Sequence, residues 1–348
     1  MAAGDAPSPN AAAQARSQLR CDIDLQAQGK ATGFVRLPHS VHRSAYGWIP
    51  IPIVRINNGP GPRVLMVAGN HGDEWEGQIA LSRLIQSIEP EHVRGQLVIL
   101  PSANFPAAMA GQRTSPIDAG NLNRTFPGDP TGSVTEQIAW WIEHVLLPGF
   151  DYSFDFHSGG NSLVYLPSTL AYRDADATQM DKVLGLVRAF AAPVAYIVNA
   201  PQSGGRSFTA ASIRQGVTSI ATEVGGGGFV TPLSMATMED GMRRLLAHAG
   251  LLQGPSPAPA STTRLTTVGG DDYYVYATES GLFEPLVDLG AEVQAGQAAA
   301  RIHFHHTPWR EPLLLRFQRH GLVLCKRGPA PCERGDCLFQ LASDLPAG

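Results

Sequence analysis

The sequence predicts an α/β protein: a mixed, mostly parallel sheet flanked by helices, followed by a small C-terminal all-β domain, a barrel or sandwich. Three observations carry that prediction. Short apolar, β-branched runs alternate with longer helical patterns between residues 51 and 249, the signature of strands linked by crossover helices. The composition then breaks at residues 253–263, QGPSPAPASTT, which reads as a linker. Beyond it, short strand-like runs are punctuated by Gly281, Gly290 and Gly296 with little helical period, as small β-domains are.

Residues 1–20 are rich in Ala, Ser and Pro and lack a basic start followed by an apolar stretch. No secretory signal is expected there, only a frayed tail. The main domain is placed at 21–252. Within it Ile51–Ile56, Arg63–Gly69, Gln96–Pro101, Tyr152–His157, Pro193–Val198 and Thr218–Val224 read as strands. Their almost continuous apolar content suits strands covered on both faces. Glu76–Ile88, Thr135–Leu147, Thr178–Ala191, Phe208–Gln215 and Leu233–Ala249 carry helical spacing. Residues 264–348 form the β domain, expected to act as a lid or a structural unit. Its Gly290, Val293 and Gly296 resemble the turns of lipoyl-type barrels. No lysine lies between Lys182 and Lys326, so the lysine that carries a swinging cofactor is missing.

Composition narrows the function. With 348 residues, 43% apolar, 16% charged and a formal net charge of -4, the chain is neither disordered nor charged like a nucleic-acid binder. No run approaches the ~20 apolar residues of a membrane span. Cys21, Cys325, Cys332 and Cys337 are too few for a disulfide scaffold and lack C-x-x-C spacing, so a reduced, cytoplasmic protein is expected. A homo-oligomer rests on base rates alone. The expected partner is a small molecule.

The chemistry concentrates at strand ends. Gly69-Asn70-His71-Gly72-Asp73-Glu74-Trp75-Glu76-Gly77 follows a strand and opens a helix, where ligand sites of open α/β sheets lie. His71 and Glu74, three apart, face one side of that turn and suit a zinc ion; taken alone, the pair reads as a polar turn with a helix-capping acid. His157, at the end of YSFDFH before Ser158-Gly159-Gly160, completes a His2Glu set with an open coordination position. Asp155, on the same strand face, either orients a ligand imidazole or pairs with an arginine. Glu223, before Gly225–Gly228, is the candidate proton carrier. Arg113, Asn123 and Arg124 share one long loop suited to a carboxylate. His303, His305 and His306 read as solvated histidines. Tyr273, Tyr274 and Tyr276 read as β-packing residues within reach of the site.

In that order, GNHGDEWEG, the Arg113…Asn123-Arg124 loop, DFHSGG and TEVGGGG resemble the succinylglutamate desuccinylase/aspartoacylase family, zinc hydrolases related to the metallocarboxypeptidases. The likeness spans about residues 35–345. RTSPIDAGNLNRTFPG and ESGLFEPLVDLG are similar, within the family, to the deacetylases of ectoine breakdown, which act on N-α-acetyl-2,4-diaminobutyrate. The resemblance implies one zinc ion per chain on His71, Glu74 and His157. Glu223 would be general base and then acid, Arg113 would hold the oxyanion, and Asn123 with Arg124 would grip the substrate carboxylate. It also implies acids near residues 199–208 to meet a side-chain amine, but that segment has none and offers Arg206. Arg206, if inward, favours a neutral or acidic side chain. A metallocarboxypeptidase-type peptidase and a non-catalytic zinc-binding sensor remain alternatives with the same fold.

Overall fold

A computed structural model describes residues 9–199, 204–254, 257–259 and 262–346. The first eight residues of the expected tail, residues 255–256 and 260–261 of the expected linker, and residues 200–203 beside Arg206 lie outside it. So do the last two residues of the β domain.

The main sheet starts at the N-terminal side with β1 (Arg20–Cys21), β2 (Gly29–Pro38) and β3 (Trp48–Asn58). Its centre is β4 (Arg63–Ala68), β5 (Gly95–Leu100) and β6 (Tyr152–His157). Next come β7 (Leu163–Tyr172), β8 (Val194–Val198) and β9 (Thr218–Gly226). Helices α1 (Pro9–Arg16), α2 (Trp75–Ser87), α3 (Phe105–Ala110) and α4 (Val134–Trp141) precede β6. Helices α5 (Ala177–Phe190), α6 (Phe208–Arg214) and α7 (Pro232–His248) follow β7. Strand order from the edge is β1-β2-β3-β5-β4-β6-β9-β7-β8.

Alternate residues of the central strands feed two cores. Val64, Met66, Phe154 and Phe156 face α2, α5 and α7, while Leu65, Val67, Val98 and Leu100 pack with Trp141, Ile142 and Phe208. Both sheet faces are thus covered, as the apolar runs require.

Four expectations change. The N-terminal segment is not a frayed tail throughout: α1 forms, and Leu19 is fully buried in the second core. The expected helix over 135–147 ends as α4 and continues as a π-helical turn, Ile142–Leu146. Strand β7 has no counterpart in the sequence reading. Pro167 argues against a strand, and the structure accommodates it at a register shift between Tyr165 and Ser168.

The sheet, finally, is mixed without being mostly parallel. Among the described residues, only β4 with β5 and β6, β6 with β9, and β8 with β7 and one later strand run parallel. Continuous apolarity reports two-sided burial and says nothing of strand direction.

The later strand is β10 (Arg264–Thr267), the first of the β region. After it come β11 (Tyr274–Tyr276), β12 (Gly281–Pro285), β13 (Glu292–Val293) and β14 (Ala298–His303). The chain closes with β15 (Leu313–Arg316), β16 (Gly321–Arg327), β17 (Pro331–Cys332) and β18 (Cys337–Asp344). Four of these make a separate sheet, β15-β14-β12-β17. The others extend the main sheet. β8 pairs with β10, β10 with β18, β18 with β16, and β16 returns to β7. Because β7 also pairs with β8, the five strands close a barrel. The expected boundary at 253–263 therefore crosses a shared barrel with no break in the sheet, and Tyr196 and Val198 share a core with Phe339 and Leu341.

Cutting the chain after Gln253 removes three of the five barrel strands and bares that core. We expect the cut chain to lose its single cooperative melt, or to lower Tm by more than about 10 °C. An unchanged Tm would mean that the β region folds apart from the sheet.

Candidate active site

Three parallel strands end side by side, and each delivers one part of the site. β4 ends at Ala68 and turns at Gly69, where φ is +69°, a conformation glycine adopts freely. The turn lies tight on α3: a Cβ on Gly72 would sit 2.0 Å from the Ala107 backbone. This places His71 and Glu74 just before α2. β6 ends on His157, and β9 runs parallel beside it with Glu223 in register with His157. Registered residues of neighbouring parallel strands project from the same face about 4.8 Å apart, so the candidate proton carrier stands next to a candidate ligand.

The structure brings His71, Glu74 and His157 together. All three are buried, and their ligand atoms lie within 4.8 Å of one another. The Glu74 carboxylate spans the gap, with Oε1 2.6 Å from His71 Nδ1 and Oε2 2.6 Å from His157 Nδ1. The far nitrogens are tied behind: His71 Nε2 lies 3.1 Å from Asn121 Oδ1 and His157 Nε2 lies 2.7 Å from Asp155 Oδ2. With a metal on each Nδ1, these acceptors would take the hydrogen of each Nε2, the arrangement metal-binding imidazoles use. Two nitrogens and one carboxylate are the donor set of a catalytic zinc site, so the residues present fit a zinc ion.

Asp155 serves the imidazole, not an arginine. Its other oxygen accepts a 2.7 Å hydrogen bond from Asn70 Nδ2.

Electrostatics differ around the cluster. Burial alone would raise the Glu74 carboxyl, but the two imidazoles outweigh it and hold it well below the usual carboxylate range. Burial pulls His71 down. His157 is pushed well above the ordinary histidine value, because Asp155 and Glu74 together overcome its burial. Burial, and then the Glu74 charge, push Glu223 well above the usual carboxylate range. Its Oε2 is buried without a hydrogen-bond partner among the described residues. A carboxyl so placed is suited to hold and release a proton.

Arg113 is half-exposed, with Nη1 3.4 Å from Glu74 Oε1. Arg124 lines the same cavity, and burial followed by repulsion from Arg113 lowers its pKa. Two guanidiniums sharing one mouth suit a carboxylate. Asn123 also lines the cavity, but its amide oxygen is engaged by the protein, accepting from the Phe208 backbone at 2.8 Å. Arg206 is exposed on the turn before α6 and is not brought to the cavity wall. The β-region histidines stay apart from the site, and His303 finds an acid, Glu284, at 2.8 Å.

Several residues of the site have no counterpart in the sequence reading. Asp73 Oδ2 accepts from the Asn161 backbone at 2.9 Å, and Glu76 Oε1 accepts from the Gly226 backbone at 3.1 Å. The three acids of GDEWEG thus divide their work: Glu74 faces the imidazoles, Asp73 fastens the loop after β6, and Glu76 fastens the turn after Glu223. Gly225 accommodates that clamp, since a Cβ there would sit 2.5 Å from Glu76 Oε1. The cavity, about 310 Å³, is lined in part by Tyr165, Leu170, Tyr196 and Gln340 of the barrel. Three acids in four residues were the available signal for the clamps. Nothing local signals the barrel wall.

Asp155→Asn keeps the shape but weakens the acceptor behind His157. It is expected to lower zinc affinity about 10–100-fold, read by competition against a chromogenic chelator. Unchanged affinity would show that Asp155 does not support the ligand.

The chain matches the model of the succinylglutamate desuccinylase/aspartoacylase catalytic domain over residues 60–249. It is 40% identical, over 94% of its length and 96% of the relative's, to the N-α-acetyl-L-2,4-diaminobutyric acid deacetylase of Halomonas elongata. The product-bound structure of the ectoine utilization protein EutE (DoeB) from Ruegeria pomeroyi superposes with a TM-score of 0.90 at 38% identity, covering 94% of this chain and 99% of that one. A succinylglutamate desuccinylase/aspartoacylase structure from Rhodobacter sphaeroides gives 0.89 at 37% identity, covering 94% and 100%. With His71, Glu74 and His157 gathered at the strand ends where the matching motifs lie, this chain belongs to the succinylglutamate desuccinylase/aspartoacylase family.

Proposed function

We propose that the protein is a zinc-dependent amide hydrolase that removes a small acyl group, acetyl, from an N-acyl amino acid, with N-α-acetyl-2,4-diaminobutyrate as substrate. The observation that carries the reaction is Glu223 in register beside His157, with an unpartnered buried oxygen, next to the His71/Glu74/His157 cluster. The substrate follows the Halomonas relative at 40% identity. Among the described residues no helix is long and apolar enough to cross a membrane, and a cavity walled by the barrel supports a small substrate over a polypeptide.

Zinc held by His71, Glu74 and His157 would supply Lewis acidity and lower the pKa of water at the site toward neutrality. Arg113 and Arg124 receive the substrate carboxylate at the mouth, and Arg113 also stands where it can stabilise the oxyanion that develops on the amide oxygen. Glu223 takes the proton as water's oxygen bonds to the amide carbon. It then returns that proton to the nitrogen as the C–N bond breaks, leaving acetate and a free amine. Asp73 and Glu76 hold the two loops that set these distances. The amide oxygen of Asn123, which accepts from the Phe208 backbone, positions the loop that bears Arg124.

Two outcomes are expected. Zinc-loaded protein releases amine from N-acetyl amino acids, and a chelator abolishes the release reversibly. Glu223→Gln keeps its zinc and loses about 10²–10⁴-fold in kcat, measured by amine release and metal content together. Wild-type kcat in Glu223→Gln would overturn the mechanism. If blocked dipeptides outrun every acetylated amino acid, the peptidase reading gains. Tight zinc binding with no hydrolysis of any amide leaves the sensor.

A further inference from the structure

The cavity lining carries two chemically different sets of side chains. One set is the imidazoles, the Glu74 and Glu223 carboxyl groups and the two arginines. The other is the barrel wall, which is polar yet carries no formal charge. Register explains how distant segments meet there. Tyr165 of β7 lies opposite Cys325 of β16, and Cys325 lies opposite Gln340 of β18. Leu170 lies opposite Tyr196 of β8. Gln340 is only 5% exposed. Its Nε2 donates to Tyr274 Oη at 3.1 Å, and its Oε1 has no hydrogen-bond partner among the described residues. A buried carbonyl oxygen left without a donor is costly, and it marks a place where a ligand donor belongs.

We propose that Gln340, with Tyr165 and Tyr196, forms the side-chain subsite and selects N-acyl amino acids whose short side chain ends in an ammonium group. The inference rests on the deacylase reading above. With the α-carboxylate on the arginines and the amide at the metal ligands, the side chain is left to the barrel wall. A primary ammonium has three N–H donors and no acceptor, so it matches the Gln340 oxygen and the tyrosine oxygens. A carboxylate side chain, which has no donor, would leave the Gln340 oxygen unmet. This wall can do the work of an acid in the 199–208 segment, which has none.

The test compares kcat/KM for N-α-acetyl-2,4-diaminobutyrate and N-acetylnorvaline, in which a methyl replaces the ammonium. Wild-type enzyme should prefer the first. Gln340→Leu should cut that preference by about tenfold or more, chiefly through KM, while Gln340→Glu, of the same shape with an added charge, should increase it. Should the leucine variant fail to fold, the glutamate variant decides. A preference unchanged by the substitutions that fold, or absent from wild type, would overturn the subsite and leave the deacylase reading standing. No hydrolysis of any acetylated amino acid by zinc-loaded wild type would overturn that reading and the subsite with it.

Discussion

One carboxylate shared by two buried imidazoles is the constraint on which the rest of this structure depends. Glu74 lies 2.6 Å from a ring nitrogen on each side, and an uncompensated charge so deep would be strongly destabilising. Each imidazole therefore needs its own support. Asn121 stands behind His71, and Asp155, itself held by Asn70, stands behind His157. The parts come from four segments, Asn70–Glu74, Asn121, Asp155–His157 and the β9 end. Only the register of β4, β6 and β9 aligns them. A slip of one residue would turn His157 or Glu223 to the opposite face of the sheet.

The barrel extends that constraint beyond the sheet core. β7 pairs with β9 on one side and with β8 and β16 on the other. The strand next to the Glu223 strand is thus also the seam of the barrel. Through that seam, residues far down the chain, Gln340 above all, reach a cavity whose reactive end is built before residue 224. The β region contributes Gln340 to the lining of the site.

How much of this was legible depended on whether the signal was local. The central strands and the candidate ligands were readable, since continuous apolar runs and strand-end motifs each lie within ten residues or so. Strand direction was not, because apolar content reports burial alone. β7 hid behind Pro167, which sits at a register irregularity. The barrel hid because its pairings join residues 163–172, 194–198, 264–267 and 321–344, and no short window contains two partners. Arg206 looked functional by charge and loop position, but the chain leaves it on the surface. Asp73 and Glu76 were in plain view and went unread, since a polar first turn of a helix is ordinary.

The central claim is that one zinc ion is held by two imidazole nitrogens and a carboxylate. Zinc-edge X-ray absorption on protein loaded with one equivalent tests it most directly. The account predicts a shell of nitrogen and oxygen only, at about 2.0–2.2 Å, with multiple-scattering features of two imidazoles. Sulfur scattering at about 2.3 Å, which would implicate Cys325, Cys332 or Cys337, would contradict it.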